Sequence, residues 1–255
     1  MTYPSWFLEI VRCPETGSQL QFIDKCFMRS DGTKYPIIGG IPSLVFPRKM
    51  GKEDAKWQRF YNRFAPLYDL NERFMSRLLT GINLPVERKR IISLLGLTKG
   101  ARILEVSPGP GVFQPYIREV IGSNGEFAAL DLSLGMLKQC RKRKALDITL
   151  AQGNGSYLPF ADESFDALFH FGGVNLFDNP ERALNEFVRV VHKGGIVSWA
   201  DEGFSSNLPD NWKKRFAMKM NPGYKKPRLT KPSGLINIRE FEVCGGFAYL
   251  IVANR

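Results

Sequence analysis

The chain has 255 residues, of which 44% are hydrophobic and 24% are charged, proportions that are typical of globular proteins. This composition excludes collagen-like, disulfide-scaffold and largely disordered proteins. No apolar run approaches the roughly 18–20 residues of a membrane span, and the first residues lack the basic start and apolar stretch of a signal peptide. We therefore expect a soluble, cytoplasmic protein. The net charge of +11, from 36 Lys and Arg against 25 Asp and Glu, favours anionic partners.

Residues 1–47 predict a small strand-rich module. Residues 18–23 alternate between polar and apolar side chains as a strand does, and Asp31-Gly32 is a turn signal. A polar stretch at residues 47–53 then follows an apolar segment. We place the first boundary of the chain there.

Residues 48–98 predict helices. Aromatic side chains recur at helical spacing until Pro66 interrupts the pattern; they are Trp57, Phe60, Tyr61 and Phe64. A second helix is predicted from Leu84 to Leu95. We expect residues 48–98 to form a helical lid segment beside a larger domain at residues 99–255.

Strands and helices alternate from Ala101 onward, which predicts an α/β domain with a parallel sheet. Strands are predicted at residues 102–106, 126–130, 148–151, 165–171 and 196–200, with a final pair at 235–243 and 247–253. A helix is predicted from the end of the turn at residues 107–111 to about residue 120, and further helices are predicted at residues 134–143, 180–191 and 212–220. Asn179 can cap the helix that starts at Pro180, while residues 192–194 supply a stop signal.

A glycine-containing turn follows the first of these strands. Ser107-Pro-Gly-Pro-Gly111 lies between a strand and a helix, where Gly109 and Gly111 let the backbone approach a ligand closely. Glu105 ends the preceding strand and Asp131 ends the next one. A carboxylate at the second of these positions can accept both hydroxyls of a ribose. The nicotinamide pattern does not fit, because it needs a third glycine at position 114.

Four segments in order resemble the motifs of class I S-adenosylmethionine-dependent methyltransferases: residues 103–113, 129–137, 154–166 and 186–195. The likeness runs from about Trp57 to the C-terminus. Residues 64–76 and 171–178 are most similar to the ubiquinone/menaquinone-biosynthesis C-methyltransferases. The resemblance implies a Rossmann-like sheet of seven strands with helices on both faces, and S-adenosylmethionine as the cofactor. Ser107 departs from the motif, which usually has glycine there.

The resemblance also implies roles for individual residues. Glu105 and the backbone of residues 107–111, with Ser107, Gly109 and Gly111, would hold the amino acid end of the cofactor, and Asp131 its ribose. Asn154 would bind the adenine, with Leu132 and Gly155 lining it, while Phe171 would lie near the reacting methyl group. Tyr61 and Tyr68 either close over the sulfonium or serve as helix-packing residues. His170, at the end of the fourth strand, is the candidate general base, although a packing histidine is the alternative.

Residues 8–20 and 34–42 resemble a small zinc-ribbon-like domain that accompanies or activates methyltransferases. A structural zinc needs four ligands, and this module offers only Cys13 and Cys26, since Thr16 stands where a second cysteine would follow Cys13. We therefore expect a metal-free module in which both cysteines are buried thiols.

Residues 211–239 contain nine Lys and Arg and no Asp or Glu. This basic segment favours a small, anionic, lipid-like or isoprenoid acceptor, with Lys225, Lys226 and Arg228 as candidate substrate ligands. A solvated helix face is the alternative explanation of the charge. Two other functions stay open: a methyltransferase acting on RNA or a translation component, and a non-catalytic S-adenosylmethionine-binding protein. The sequence leaves the methyl acceptor and the oligomeric state undetermined.

Overall fold

The computed structural model describes residues 2–142 and 147–255. In the N-terminal part, a short helix is followed by a three-stranded antiparallel sheet and a separate two-stranded hairpin. These elements are α1 (Ser5–Ile10), β1 (Gln21–Ile23), β2 (Cys26–Met28), β3 (Lys34–Tyr35), β4 (Ile37–Ile38) and β5 (Ile41–Pro42). The strand expected at residues 18–23 is therefore shorter than its alternation indicated.

Three helices lead to the main sheet: α2 (Lys52–Phe64), α3 (Tyr68–Leu79) and α4 (Leu84–Leu95). A turn of 3-10 helix, Ala65–Leu67, connects α2 to α3 and contains Pro66. The predicted bounds of α4 are confirmed, since Asn83 caps its start and Gly96, with φ +74°, ends it in the left-handed conformation.

The main sheet has seven strands in the order β11-β12-β10-β9-β6-β7-β8. Strands β6 to β10 are parallel, whereas β12 runs antiparallel to both β10 and β11. This mixed sheet confirms the Rossmann-like expectation. Its elements are β6 (Arg102–Val106), α5 (Gln114–Ile121), β7 (Glu126–Asp131), α6 (Leu134–Arg141), β8 (Thr149–Gln152), β9 (Phe165–Phe171), α7 (Pro180–Val190), β10 (Val191–Glu202), α8 (Trp212–Met220), β11 (Ile236–Val243) and β12 (Ala248–Asn254).

Most predicted element ends in the α/β domain lie within two residues of the observed ends. Helix α6 ends at Arg141, and the expected end at residue 143 lies outside the described residues. The stop signal at residues 192–194 does not leave a loop, because β10 begins at Val191 immediately after α7. Val191 pairs with Phe165, and the register then shifts before Ile196, so the polar residues fall in an irregular part of the strand.

The N-terminal module packs into the core of the α/β domain. Phe7 and Phe27 are fully buried in the same cluster as residues of β6, β9 and α7. The rings of Phe7 and Phe160 lie 6.1 Å apart, and the Leu44 N–H donates to the carbonyl of Gln152 at 2.7 Å. Burying each such side chain stabilises the fold by about 1.5–3 kcal/mol. The module therefore packs against one face of the main sheet.

The two cysteines of the module differ in burial. Cys13 is buried, with its Sγ 3.1 Å from the Tyr35 hydroxyl, as expected. Cys26 is only half-buried, and its predicted burial is wrong, because the alternation of β2 turns Phe27 inward and Cys26 outward. Within residues 2–142 and 147–255, no group of three or more His, Cys, Asp or Glu could hold a metal ion. The absence of zinc stays a prediction. No helix of the described residues is long and apolar enough to cross a membrane.

Candidate active site

A cavity lies at the carboxyl ends of β6, β7 and β9, where ligands bind in open α/β sheets. It contains about 790 Å³ of space, including its open mouth. The turn after β6 and the loops after β7, β8 and β9 form its base, and helix α2 covers it. Of the predicted cofactor residues, the cavity wall contains Ser107, Gly109, Asp131, Leu132, Asn154, Gly155, Phe171, Tyr61 and Tyr68.

The turn after β6 holds its backbone in the left-handed region. Ser107 has φ +57° and Gly109 has φ +56°. A side chain with a Cβ is strained there, which explains in physical terms why glycine suits the first position. The Ser107 N–H donates to the carbonyl of Leu130 at 2.8 Å. A Cβ built on Gly109 would meet no atom within 4 Å, so the backbone of this residue is open toward the cavity.

Asp131 connects this turn to the end of β7. Its Oδ2 accepts the Gly109 N–H at 3.1 Å, and its Oδ1 accepts the Ser133 N–H at 2.7 Å. Burial raises the pKa of Asp131 from 3.8 to about 6, although these two hydrogen bonds oppose the shift. The carboxylate is therefore held in place by the backbone and is ionised at neutral pH.

Glu105 and Gly111 are not among the described residues that line the cavity. Glu105 is buried within β6 at 2% exposure. A Cβ on Gly111 would lie 2.4 Å from Oε1 of Gln114, so this glycine makes room for a neighbouring side chain. The structure therefore gives both residues a place in the packing behind the turn.

A carboxylate that the sequence analysis missed fixes the start of α2 over the cavity. Asp54 is buried, and its two oxygens accept Nδ2 of Asn154 at 2.8 Å and the N–H of Asp178 at 3.1 Å. Asp178 in turn accepts the N–H groups of Glu53 and Asp54. Asn154, expected to bind adenine, thus uses part of its amide to hold α2. An acid in the first turn of a helix is common, so no sequence signal singled out Asp54.

Helix α2 also contacts the loop after β7. Nε2 of Gln58 donates to the carbonyl of Leu132 at 3.1 Å, and Oδ1 of Asn62 accepts the Gly135 N–H at 2.8 Å. A Cβ at Gly135 would lie 2.9 Å from the backbone of Asn62. The glycine of the second motif therefore permits the close approach of α2, which makes it the one sequence signal for this contact.

Aromatic rings form another part of the cavity wall. Tyr61 of α2 and Tyr68 of α3 have ring centroids 6.2 Å apart. Burial raises the pKa of both hydroxyls above 10, so both stay neutral. Phe171 lines the cavity from the end of β9, and Phe177 lines it from the loop that follows. Both tyrosines thus reach the cavity, as one of the two sequence-based alternatives requires.

His170, the candidate base, lies outside the set of described residues that line the cavity. It is fully buried, its Nδ1 donates to the carbonyl of Val106 at 3.1 Å, and its ring packs between those of Phe177 and Phe187. Burial lowers its pKa to about 4. Successive residues of a strand face opposite sides of the sheet, so Phe171 reaches the cavity while His170 does not. The packing alternative agrees with this geometry.

A pair of acids ends β10 near the same edge of the sheet. The carboxylate of Asp201 accepts the N–H groups of Gly173 and Asn175. Burial, and then the neighbouring Glu202, raise the pKa of Asp201 to about 9. Glu202 accepts Nδ2 of Asn221 at 2.7 Å. This pair fixes the loop after β9 that forms part of the cavity wall.

Lys225, Lys226 and Arg228, the candidate substrate ligands, are exposed. None of them is among the described residues that line the cavity. Nζ of Lys226 donates to the carbonyl of Asn175 at 2.7 Å. Arg228 forms an ion pair with Glu240 and lies over the ring of Tyr249. Glu240, one residue beyond the acid-free stretch, thus neutralises part of its charge. Lys226 and Arg228 have structural partners, and Lys225 is exposed to solvent.

Comparison with known proteins agrees with this geometry. The methyltransferase domain family matches residues 104–199. A demethylmenaquinone methyltransferase of Renibacterium salmoninarum is 35% identical over 142 residues, which are 55% of this chain and 56% of that protein. A demethylmenaquinone methyltransferase of Listeria welshimeri is 30% identical over 169 residues, which are 64% of this chain and 69% of that protein.

Solved structures share the fold at lower identity. An S-adenosylmethionine-dependent methyltransferase of Thermotoga maritima is similar with a TM-score of 0.55 at 20% identity, covering 77% of this chain and 98% of that one. A chain from a Haloferax volcanii complex of a methyltransferase and its activator has a TM-score of 0.55 at 14% identity, covering 76% of this chain and 96% of that one. From the family match, the relatives and the sheet order together, the chain belongs to the class I S-adenosylmethionine-dependent methyltransferases.

Proposed function

We propose that this methyltransferase acts on a small, apolar or lipid-like acceptor that carries negative charge. The donor would lie between the turn after β6 and helix α2, with Asp131 on its ribose. The backbone of Ser107 and Gly109 would hold its amino acid end. The acceptor would enter against Tyr61, Tyr68 and Phe171.

The contact between Asp131 and Gly109 is the observation that carries this assignment. Asp131 is buried at the ligand edge of the sheet, where each of its oxygens accepts one backbone N–H, and the backbone at Gly109 is open beside it. Each carboxylate oxygen has a further lone pair that can accept another hydrogen bond. A ribose offers two hydroxyl donors to such a group. The hydrogen-bonding groups at this position therefore fit a ribose on chemical grounds, in addition to the sequence motif. When bound, S-adenosylmethionine supplies a methyl group made electrophilic by its sulfonium.

The residues of the chain mainly contribute alignment and exclusion of water. Aromatic faces such as those of Tyr61 and Tyr68 stabilise a cation by about 0.5–2 kcal/mol. Alignment of two reactants can lower the barrier by up to roughly 7–11 kcal/mol. With His170 outside the cavity wall, the proposal includes no histidine base.

The nature of the acceptor rests on the apolar wall and on the charge nearby. Relatives that are 35% and 30% identical to this chain over the aligned residues are named for a quinone-type substrate, which supports an apolar acceptor. The basic segment supports negative charge, although Glu240 pairs with Arg228 and with Lys231, the latter at 3.7 Å. Lys225 remains the candidate for a direct role with an anionic group.

We also infer three units from the organisation of the chain: residues 1–47 as a module, 48–98 as a lid segment and 99–255 as the methyltransferase domain. The module is the proposed counterpart of the activator-like domain that it resembles. The hydrogen bond from Leu44 to Gln152 at the end of β8 supports a role in holding the cavity loops. The contacts of α2 with Leu132 and Gly135 support the lid assignment.

Labelled methyl transfer tests the acceptor class. The protein is incubated with S-adenosylmethionine carrying a labelled methyl group and with fractionated lysate, and label is expected in organic-soluble small molecules. With the identified acceptor, Lys225→Glu should raise KM by about fivefold at low salt and lose this effect at high salt. Lys99→Glu, the same change at an exposed residue before β6, is the matched control and should leave KM unchanged. Label in RNA or protein, or equal KM values in both variants, would contradict the proposal.

A further inference from the structure

The outer surface of the lid carries apolar side chains that the fold does not cover. On α2 and the turn after it, Phe60, Phe64 and Leu67 are 44%, 41% and 59% exposed. On α3, Phe74 and Leu78 are 64% and 38% exposed. The ring centroids of Phe60 and Phe64 lie 4.6 Å apart, so they form a ridge along α2. Single exposed apolar residues are ordinary, whereas this series continues over two consecutive helices.

Helix α8 packs against α3 and extends the same kind of surface. Trp212 and Met220, at its two ends, are 53% and 59% exposed. Arg215 and Lys219 are exposed at spacings of three and seven residues from Trp212, which places them on the same side of the helix. Helix α8 contains no acidic residue.

Basic residues alternate with the apolar ones on all three helices. Arg59 and Arg63 are exposed beside Phe60 and Phe64 on α2, and Arg77 is exposed beside Leu78 on α3. The described acids of these helices, Glu53, Asp54 and Glu72, are instead buried or half-buried. An exposed face that combines large apolar side chains with Arg and Lys is the composition of helices that lie on an anionic membrane.

We propose that the outer face of α2, α3 and α8 binds the surface of an anionic lipid bilayer. The apolar side chains of this face insert between the lipids, while Arg59, Arg63, Arg215 and Lys219 contact the phosphates. Charge complementarity favours this occupant over a second copy of the chain, because two such faces would bring like charges together.

The proposal also connects the bilayer to the cavity. Successive ring contacts lead from Phe64 to Phe60, then to Tyr61 at 5.4 Å and on to Tyr68 at 6.2 Å. Tyr61 and Tyr68 line the cavity from the inner side of the same helices. An apolar acceptor dissolved in the bilayer would thus meet apolar surface on both sides of the lid. This link rests on the proposed function, whereas the binding of lipid does not.

Vesicle sedimentation tests the surface. Wild-type protein is expected to sediment with phosphatidylcholine vesicles that contain about 30% phosphatidylglycerol and to stay in solution with phosphatidylcholine alone. The double variants Phe64→Ser/Phe74→Ser and Arg215→Glu/Lys219→Glu should each weaken binding by at least about tenfold. Val86→Ser/Ile236→Ser removes two apolar side chains that are 64% and 58% exposed elsewhere, and should bind as wild type does.

Separate readouts distinguish the outcomes. Circular dichroism must show that each variant is folded, and adenosylhomocysteine affinity without vesicles should equal that of wild type, since it reports the cofactor site alone. Equal binding of the lid and control variants to anionic vesicles would overturn the proposal. A dimer in light scattering that the Phe64→Ser/Phe74→Ser variant abolishes, or an RNA oligonucleotide that binds in place of vesicles, would also overturn it. A wild-type protein that does not bind adenosylhomocysteine would instead contradict the proposed function.

Discussion

Replacing Asp131 with Asn separates cofactor binding from folding. The variant keeps an oxygen that accepts the Ser133 N–H. It loses the negative charge and the second oxygen, which in the wild type accepts the Gly109 N–H. Charge-assisted hydrogen bonds of a buried carboxylate to a ligand contribute about 1.5–3 kcal/mol. We therefore expect the affinity for adenosylhomocysteine to fall about 10- to 150-fold.

Folding stability should respond differently. Burial raises the pKa of Asp131 from 3.8 to about 6, so the stability that this group contributes is present below pH 3.8 and is lost as the pH rises through 6. At pH 7.5 the ionised group costs the fold about 3 kcal/mol. The Asp131→Asn substitution removes that cost, but it leaves the Gly109 N–H without its acceptor, a loss of about 1–3 kcal/mol. The two effects nearly cancel, and Tm should change by no more than a few degrees.

Calorimetric titration with adenosylhomocysteine at pH 7.5, together with thermal unfolding, measures both quantities. Asp210→Asn removes the same charge from an exposed position before α8 and should leave affinity and Tm unchanged. An Asp131→Asn affinity within about twofold of wild type would refute the ribose assignment. A large decrease in the Tm of this variant would show that removing the buried charge does not compensate for the lost Gly109 hydrogen bond.

Four further predictions follow from the same geometry. Wild-type affinity for adenosylhomocysteine should weaken as Asp131 is protonated, by about tenfold at pH 5 relative to pH 8; a flat titration from pH 5 to 8 would count against a role for this carboxylate. His170→Phe should leave kcat within about threefold while lowering Tm, because the Val106 carbonyl loses its donor; a loss of kcat larger than a hundredfold at unchanged Tm would restore the histidine to catalysis. Ser107→Gly should raise stability by up to about 1 kcal/mol, since the left-handed strain is relieved and the unfolded chain gains entropy in partial compensation; denaturant unfolding that shows a loss would argue against strain. Elemental analysis should find no stoichiometric zinc, and chelators should leave Tm unchanged; one zinc per chain would reverse the interpretation of Cys13 and Cys26.

The elements that the sequence predicted best carry local signals at their ends. Asn179 accepts the Arg182 N–H at 3.2 Å, with Pro180 in the first turn of α7, as its composition indicated. Asn211 caps α8 in the same way. The stop signal at residues 192–194 predicted the end of α7 but not the structure that follows it, because sheet pairing starts β10 at Val191.

Part of the cavity could be predicted because its residues occupy fixed places relative to strands. Asp131 ends β7 and Gly109 follows β6, two neighbouring parallel strands, so their proximity depends mainly on the sheet. Asp54 could not be found in this way, because its partners Asn154 and Asp178 lie at least 100 residues away. His170 and Phe171 are adjacent in sequence and differ only in which side of the sheet they face. Motif position alone did not separate them.

A transfer assay that compares wild type with Asp131→Asn tests the central claim most directly. Both proteins are incubated with S-adenosylmethionine labelled in the methyl group and with a lysate separated into organic-soluble, RNA and protein fractions. We expect label in the organic-soluble fraction with wild type, and at least about tenfold less with the variant at subsaturating donor. Transfer that does not depend on Asp131, or label found only in RNA or protein, would contradict a methyltransferase that binds its donor beside Asp131 and acts on a small apolar molecule.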